Sequence, residues 1–275
     1  MIDLMSIPAI RSWTWRIGRR LYFSARRDIP NCPVSNGEYW LIERFISESS
    51  SNTMILIDIG ANQGNWSAQA KEILNRQSKN GVIYAFEPTP STYSFLSKRF
   101  EADSYIKLNK IALSNYSGEA EFFVVGALAG TNSLHNMQDS VVEKVQTQRF
   151  DDFLASAGLE TGLFVKSDTE GHDLSVLRGA EKSLRSGCVD VWQFEYNHRW
   201  VANHSFLKDV FDFIADKPYR LGKLYGNGIE IYEKWHPELE RFFEANYVLI
   251  RNGSCVEKLG DSMCLNISNV LVPAR

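Results

Sequence analysis

Cysteines are few in this chain, and long apolar runs are absent. Its 275 residues include four cysteines, at positions 32, 188, 255 and 264, and none belongs to a C-x-x-C pair. This scatter indicates neither a zinc site nor a disulfide framework, so we expect a reducing, cytoplasmic environment. No apolar run approaches the roughly 18 residues of a membrane-spanning helix, and the first residues lack the basic and apolar blocks of a signal peptide. We therefore expect a protein that is neither secreted nor integral to a membrane.

An excess of charge of one sign is lacking as well. The formal net charge is −3 and the pI is about 6.0, which provides no basic surface for nucleic acid. We expect a small-molecule or glycan partner instead. Apolar residues make up 44% of the chain, which is enough for one large core. We expect a main domain at residues 51–251, an N-terminal helical extension or cap at residues 1–50, and a C-terminal tail at residues 252–275.

Residues 54–90, by contrast, have the layout of a site for an adenosine-containing cofactor. An apolar strand ends at Asp58, a turn carries Gly60 and Gly64, and a second apolar strand ends at Glu87. In a parallel α/β sheet, such a cofactor lies at the carboxyl ends of the strands, where a glycine turn lets backbone N–H groups approach it. A carboxylate at the tip of the next strand can then bind the ribose hydroxyls.

The turn favours one cofactor over another. A dinucleotide site needs the spacing G-x-G-x-x-G so that the pyrophosphate can rest on a helix N-terminus. This turn has only Gly60 and Gly64, and Asp58 lies beside the place a phosphate would occupy. S-adenosylmethionine carries a cationic ammonium and a sulfonium and has no phosphate, so a nearby carboxylate favours it. The turn therefore indicates a methyl donor.

From residue 54 onward, strand-like and helix-like segments alternate, which predicts a parallel sheet with crossover helices. Helices are expected at 65–75, 91–100 with Ser91 as the N-cap, 150–157, 174–185 and 238–245. Strands are expected at 106–113, 119–125, 163–168, 189–195, 220–225, 228–233 and 247–251. The small and polar residues 126–147 interrupt this order and indicate either a loop over the active site or a surface insertion.

Residues 11–27 differ from the rest because arginines alternate with large apolar side chains. The segment contains six arginines together with Trp13, Trp15, Leu21, Tyr22 and Phe23. A basic aromatic helix of this kind suits an anionic membrane surface or an acidic, lipid-linked substrate. The alternative is a cap helix that packs on the domain through its aromatic side chains.

A second group of polar residues follows two later strands. Lys166, Asp168, Glu170 and His172 alternate at the end of the strand at 163–168, and Glu195 and His198 follow the next strand. Core strands rarely end in this way without a functional reason. Methyl transfer to a hydroxyl requires in-line positioning and removal of a proton. Asp168 or His172 is the predicted base, with Glu170 and Lys166 beside it.

Two alternatives for this group remain open. Asp168, Glu170 and Glu195 are oxygen ligands that suit a divalent cation such as Mg²⁺, which would lower the pKa of the hydroxyl. The other alternative is a structural network of ion pairs in which Lys166 neutralises the acids. His198 is equally well explained as an ordinary surface histidine.

Together, these segments resemble the FkbM family of S-adenosylmethionine-dependent methyltransferases. The matching residues are Ile57-Asp58-Ile59-Gly60-Ala61-Asn62-x-Gly64, Ala85-Phe86-Glu87-Pro88, Ile111-Ala112-Leu113-Ser114 before Gly118, Lys166-x-Asp168-x-Glu170-Gly171, Leu177-x-Gly179-Ala180 and Glu195. The resemblance covers residues 54–197. It implies an α/β fold of the class I methyltransferase (Rossmann-like) type, doubly wound, with a mostly parallel seven-stranded sheet whose last strand is antiparallel.

The resemblance also implies an enzyme that methylates a hydroxyl of a sugar, a glycan or a natural product. By position, it places Asp58, Gly60, Asn62 and Gly64 at the methionine end, Glu87 at the ribose, and Ile111 and Ala112 at the adenine. We extend the expected cofactor site to the neighbouring residues Ala61, Asn65, Pro88 and Asp168. Ser167 and Thr169 depart from the family, which usually has apolar residues there, so the strand tip is expected to be more polar.

Two rival functions remain. An NAD(P)-dependent sugar-modifying oxidoreductase or epimerase of the short-chain type needs Tyr-x-x-x-Lys on a helix, and Tyr219 and Lys223 have that spacing. Pro218 and Gly222 argue against a helix there. The second rival is a non-catalytic protein that binds an adenosine cofactor. Asp58 and Glu87 are both intact, and this argues against the loss of activity.

Overall fold

The computed structural model describes residues 8–124, 134 and 140–274. Its helices are α1 (Pro8–Ala25), α2 (Glu38–Glu48), α3 (Asn65–Arg76), α4 (Pro90–Arg99), α5 (Phe150–Ala157), α6 (Asp173–Gly179), α7 (Glu181–Ser186) and α8 (Leu207–Ile214). Its strands are β1 (Thr53–Ile59), β2 (Asn80–Phe86), β3 (Ile106–Asn109), β4 (Ala112–Ser114), β5 (Gly118–Val124), β6 (Val141–Arg149), β7 (Leu163–Ser167), β8 (Val189–Tyr196), β9 (Tyr219–Tyr225), β10 (Gly228–Tyr232), β11 (Ala245–Arg251), β12 (Gly260–Leu265) and β13 (Leu271–Pro273). Three short 3-10 helices lie at His198–Asn203, Pro237–Leu239 and Glu257–Leu259.

The main sheet has the order β13-β12-β10-β9-β11-β8-β7-β1-β2-β3. The five strands β3, β2, β1, β7 and β8 are parallel, so their carboxyl ends meet at one edge. β11 then runs antiparallel to both β8 and β9. The parallel half with an antiparallel neighbour agrees with the expected methyltransferase-like α/β architecture.

The predicted number of seven strands is wrong, because this sheet has ten. β9 and β10 form a hairpin, and the free edge of β10 pairs in parallel with β12. β13 then pairs antiparallel with β12. β12 and β13 lie within residues 252–275, the segment that was expected to be a C-terminal tail. No strands were expected there.

Helices cover both faces of the parallel strands, as a doubly wound sheet requires. On one face, Phe45 of α2 and Trp66 of α3 pack against Phe164 of β7, with ring centroids 5.3 and 5.8 Å from it. On the other face, Phe150 of α5 lies 4.8 Å from Trp192 of β8. Because both faces are buried, only the strand ends are free to form a polar site.

A second, three-stranded sheet has the order β4-β6-β5. Its strand β6 occupies residues 141–149, so the prediction of an irregular segment at 126–147 is wrong for residues 141–147. Residues 141–147 of β6 pair with β5, which favours an extended backbone despite the polar composition of the strand. Leu134 and residue 140 are the only other described residues of that segment; the remaining ones lie outside the described part of the chain.

Several helix and strand limits also differ from the predictions. The expected strand 106–113 is two strands, β3 and β4, which belong to different sheets. The expected helix 174–185 is interrupted at Ala180, and at Gly179 a Cβ would lie 2.0 Å from the carbonyl oxygen of Ser114, so only glycine fits there. The expected helix 238–245 is a short 3-10 turn followed by β11. Thr89, rather than Ser91, is the N-cap of α4.

The other predicted helices and strands are confirmed to within one or two residues: helices 65–75, 91–100 and 150–157 as α3, α4 and α5, and strands 119–125, 163–168, 189–195, 220–225, 228–233 and 247–251 as β5, β7, β8, β9, β10 and β11. Within the described residues, no helix combines the length and the apolar character needed to cross a membrane.

Candidate active site

A cleft lies at the carboxyl ends of β1, β2 and β7, with a volume of about 760 Å³ that includes its open mouth. The described residues that line the cleft are Ile59, Gly60, Asn62, Glu87, Pro88, Thr92, Ala112, Leu113, Phe122, Leu134, Asp168, Thr169, Glu170 and His172. The cleft therefore lies where the two polar segments of the sequence meet.

Backbone hydrogen bonds hold the strand ends together. The N–H groups of Gly60 and Ala61 both donate to the carbonyl oxygen of Phe86, and the N–H of Asp168 donates to that of Ile59. Gly60 has a φ of +78°, and a Cβ there would lie 2.1 Å from the carbonyl oxygen of Asp168. Only glycine allows this close approach of β1 to β7.

Glu87 is buried at the tip of β2 and is held by the protein itself. Its Oε1 accepts hydrogen bonds from the backbone N–H of Thr89, at 3.0 Å, and from the Thr89 hydroxyl. Its Oε2 accepts from the N–H of Asn62 at 3.1 Å. Burial raises the pKa of Glu87, although the hydrogen bonds from Thr89 and Asn62 oppose this effect. The carboxylate is thus oriented before any ligand arrives.

Asp58 lies behind the cleft and does not line it. It is fully buried in β1, directly opposite Lys166 of β7 in the parallel register. Asp58 Oδ2 accepts a hydrogen bond of 2.7 Å from the Ser67 hydroxyl, and Oδ1 lies 3.9 Å from Lys166 Nζ. Burial raises the pKa of Asp58, and Lys166 and Ser67 oppose that change.

Lys166 is buried among carboxylates. Its Nζ lies 3.3 Å from Asp168 Oδ2 as well as near Asp58. Burial opposes the charged form of Lys166, but the charges of Asp168, Asp58 and Glu38 together raise its pKa. Lys166 therefore remains a cation, and its contacts agree with the alternative in which it neutralises the neighbouring acids.

Asp168 and Glu170 face the cleft from the end of β7. The side chain of Asp168 is 38% exposed, whereas that of Glu170 is 12% exposed and lies 2.7 Å from Arg199 Nη1 through Oε2. Burial and the nearby Asp168 raise the pKa of Glu170 to about 8, against the effect of Arg199. Asp168 is therefore the more accessible of the two acidic side chains.

His172 lines the cleft at the start of α6. Its Nε2 lies 2.9 Å from the hydroxyl oxygen of Ser114 in β4. Next to it, Asp173 is fully buried, and burial followed by the charge of Asp168 raises its pKa to about 6, although hydrogen bonds from Ser167 and Thr169 oppose the change. Ser167, one of the two polar residues that depart from the family pattern, also accepts a hydrogen bond of 3.1 Å from Trp192 Nε1.

A buried polar network lies on the β8 side of the cleft. Glu195 accepts hydrogen bonds of 2.6 Å from both Asn31 and Asn197, and burial followed by the charge of Asp168 raises its pKa. Gln193 donates to Glu38 Oε2 at 3.1 Å. Burial raises the pKa of Glu38 to about 7, and the opposing effect of Lys166 is smaller. Glu195 therefore belongs to this network and not to the lining of the cleft.

The predicted site residues divide into two groups. Those that line the cleft are Gly60, Asn62, Glu87, Pro88, Ala112, Asp168, Glu170 and His172. Those that do not are Asp58, Ala61, Gly64, Asn65, Ile111, Lys166 and Glu195. Asn65 accepts a hydrogen bond from Arg99, and Ile111 packs against the hydrophobic core. The roles of both groups in cofactor binding stay predictions. His198 lies beyond β8 in a 3-10 helix.

The structure gives no support to the expected magnesium site. Among residues 8–124, 134 and 140–274, no group of three or more His, Cys, Asp or Glu side chains is arranged to hold a metal ion. Asp168 contacts Lys166, Glu170 contacts Arg199, and Glu195 contacts Asn31 and Asn197.

Sequence reasoning missed the residues that reach the cleft from distant elements. Phe122 of β5 and Leu134 belong to this group, as do Thr89 and Thr92 at the start of α4. Glu38, from the N-terminal region, was missed as well. The sequence offered one indication of Thr89 and Thr92: they come shortly after Glu87-Pro88, where a polar helix start was expected.

The chemistry of the lining is anionic. It includes the acidic side chains of Glu87 and Asp168, together with Glu170, whose pKa is raised to about 8, and no Lys or Arg is found among its described residues. In addition, Asn62 Oδ1 is buried and has no hydrogen-bond partner in the described part of the chain. A cleft lined by hydrogen-bond acceptors and by no Lys or Arg side chain suits a ligand with positive charge and hydroxyl donors. Such a lining disfavours a pyrophosphate.

This arrangement, with a glycine turn at β1 and a carboxylate at the tip of β2 of a doubly wound sheet, defines a methyltransferase-like protein. Residues 58–221 match the model of the methyltransferase FkbM domain. The chain therefore belongs to the FkbM methyltransferase family.

Two curated relatives have names that specify a reaction. The hexuronic acid methyltransferase AglP of Haloferax volcanii is 27% identical over 144 residues, which cover 52% of this chain and 56% of the relative. The 2-O-methyltransferase NoeI of Sinorhizobium fredii is 25% identical over 147 residues, covering 47% and 58%. The chain thus spans a little over half the length of these relatives.

Solved structures with a similar fold include a methyltransferase FkbM from Methylobacillus flagellatus. The two chains share 16% identity, with 73% of this chain and 44% of the other covered, at a TM-score of 0.46. A methyltransferase from Streptococcus mutans in complex with SAH shares 8% identity, covering 77% and 96%, at a TM-score of 0.41.

Proposed function

We propose that this protein is an S-adenosylmethionine-dependent O-methyltransferase that acts on a hydroxyl of a sugar, a glycan or a natural product. The observation that carries the proposal is the anionic cleft at the glycine turn, in which Glu87 is already oriented by Thr89 and Asn62. A dinucleotide would bring its pyrophosphate close to Glu87 and Asp168 in a cleft whose described lining contains no Lys or Arg.

The residues present fit the methyl donor. Gly60 and the unpartnered carbonyl of Asn62 suit the methionine end, Glu87 suits the ribose hydroxyls, and Ala112 with Leu113 offers an apolar surface for the adenine. Asp58 acts from behind the turn as a buried negative charge. When bound, the donor would supply an electrophilic methyl group on its sulfonium.

The protein must also remove a proton from the acceptor. Asp168 is our choice for this base, because its carboxylate lines the cleft and is partly exposed, while Lys166 holds it from behind at 3.3 Å. His172 is the second choice, since it lines the same cleft and contacts Ser114. General acid–base catalysis of this kind contributes about 10²–10⁴-fold to the rate.

A sugar hydroxyl is the acceptor class that the relatives favour, because one is named for a hexuronic acid and another for 2-O-methylation. The polar residues around the strand tips, including Asp168 and Glu170, are suited to hydrogen bonding with hydroxyl groups. We further propose a cytoplasmic reaction, in keeping with four cysteines that are all free.

The test is transfer of a labelled methyl group from S-adenosylmethionine to a panel of acceptors, with identification of the product by mass spectrometry and NMR. The panel compares hexuronic acids and their glycosides with matched glycosides lacking the carboxylate, and with phenolic natural products. We expect a methyl ether on a sugar hydroxyl. A methyl label on nitrogen or carbon would contradict the proposal. So would the absence of any labelled product with every hydroxyl acceptor and with host-cell extract.

The short-chain oxidoreductase alternative loses its catalytic pair. Tyr219 and Lys223 lie on strand β9 and not on a helix. Lys223 is buried and donates to Asp28 at 2.9 Å, and the Tyr219 hydroxyl donates to the carbonyl of Val189 at 2.6 Å. Both side chains therefore serve the fold.

A further inference from the structure

Helix α1 presents a row of large apolar side chains to solvent. Ile10, Trp13, Ile17 and Leu21 recur at helical spacing on one face, and their exposures are 36%, 64%, 55% and 65%. None of the residues of α1 is buried. An amphipathic helix of a folded domain normally turns such a row towards the core, so this row has no partner within the described part of the chain.

The same helix is strongly basic. Arginines occupy positions 11, 16, 19 and 20 of α1, Arg26 and Arg27 follow it, and residues 8–27 contain no acidic residue. The whole chain, by contrast, has a net charge of −3. Positive charge is therefore concentrated around the exposed apolar row.

The helix is fixed to the domain through its C-terminal end. Phe23 packs against Phe243 with ring centroids 4.9 Å apart. Arg26 donates to the carbonyl of Glu238 at 3.0 Å, and its own carbonyl accepts from Lys223 at 2.8 Å. Phe23 lies on the side of α1 away from the apolar row, since it is about 120° around the helix from Ile17. The row consequently faces outward in a defined orientation.

We propose that α1 docks on an anionic membrane surface. Trp13, Ile17 and Leu21 would enter the interface between headgroups and acyl chains, and the flanking arginines would contact lipid phosphates. This combination of a basic face with tryptophan and leucine is that of helices that lie in the plane of a bilayer. A second copy of the chain fits less well, because two such helices would bring like charges together.

Docking would also orient the cleft. The segment after α1 reaches Asn31, which donates to Glu195 at the end of β8 and to Glu244 at 2.7 Å. The helix is thus attached on the side of the sheet where the strands end. An acceptor held at the bilayer would approach the cleft from that side. Membrane docking itself does not depend on the proposed function.

The test is co-sedimentation of the full 275-residue chain with sucrose-loaded vesicles. One set contains phosphatidylcholine alone, and the other also contains the anionic lipid phosphatidylglycerol, whose negative surface potential attracts basic segments. We expect binding to the anionic vesicles that weakens as salt increases, and little binding to the neutral ones.

Three variants make the test specific. Ile17→Ser with Leu21→Ser should weaken binding at least about ten-fold, because apolar burial is lost. Arg11→Gln with Arg20→Gln should weaken it by about five-fold for each arginine. Ile267→Ser removes a fully exposed apolar side chain far along the chain and should bind like the parent. Circular dichroism and melting curves check that all variants are folded.

Binding that is equal for neutral and anionic vesicles, or that survives both α1 variants, would overturn the proposal. So would the absence of vesicle binding together with a concentration-dependent dimer in light scattering that Ile17→Ser/Leu21→Ser abolishes, which would assign the row to a second copy of the chain. Because the readout is vesicle binding, it is independent of methyltransferase activity.

Discussion

Thr89 donates both its backbone N–H and its hydroxyl to one oxygen of Glu87, Oε1. A carboxylate offers about four acceptor positions, and Asn62 occupies a third at Oε2. One position on Oε2 is left for a ligand. Glu87 can therefore take one ribose hydroxyl directly, and a second hydroxyl has to share an acceptor already used by Thr89. The expectation that Glu87 holds both ribose hydroxyls equally is refined by this arrangement.

Glu87→Ala should weaken the binding of S-adenosylmethionine by about 1–3 kcal/mol, because a hydrogen bond to a charged acceptor is lost. Isothermal titration calorimetry measures the change. Glu121→Ala, which alters an exposed glutamate on β5, is the matched control and should bind like the parent. An unchanged affinity in Glu87→Ala would remove Glu87 from the cofactor site.

Asp168→Asn should slow methyl transfer by roughly 10²-fold or more while the affinity for S-adenosylmethionine is retained. The amide keeps the shape of the side chain and can still accept a hydrogen bond from Lys166, but it cannot take a proton from the acceptor. Single-turnover kinetics and calorimetry separate the two effects. Equal turnover in the variant would direct attention to His172, for which His172→Gln is the companion experiment.

Glu38 should make the protein less stable as the pH rises. Its pKa is about 7 in the folded state against an ordinary value of 4.5, so between these values the folded state binds more protons than the unfolded state. The free energy of unfolding should fall by about 1.4 kcal/mol for each pH unit between about 4.5 and 7 from this group alone. The stabilising effect is complete below pH 4.5 and lost above pH 7.

Urea unfolding at pH 5 and pH 8 measures this effect. Glu38→Gln keeps the acceptor for Gln193 and should flatten the pH dependence. Glu43→Gln, on the same helix but with a side chain 45% exposed, should leave it unchanged. Parallel pH profiles for Glu38→Gln and the parent would show that Glu38 is not the group that titrates.

The strand tips were the part of the site that sequence reasoning located. Asp58, Glu87 and Asp168 each follow an apolar run, and a charge at that point is visible without a structure. The residues that face these tips from other elements, such as Phe122 and Glu38, could not be found in this way. Their proximity arises from pairing across the fold, which local patterns do not encode.

The predicted boundaries of helices and strands were wrong where tertiary contacts outweighed local propensity. α6 ends at Gly179, where the backbone lies so close to Ser114 of a separate sheet that no Cβ would fit. The apolar spacing at 238–245 suited a helix equally well, yet Ala245 begins a strand that pairs with Tyr196. The added strands β12 and β13 depend on the open edge of β10, which is a property of the folded sheet.

The most direct test of the central claim is calorimetric titration of the chain with S-adenosylmethionine, S-adenosylhomocysteine and NAD⁺ under the same conditions. The anionic lining, with Glu87 already oriented at the tip of β2, predicts that both methionine derivatives bind with one-to-one stoichiometry and that NAD⁺ does not. Binding of NAD⁺ with no binding of either methionine derivative would contradict the assignment of this cleft to a methyl donor.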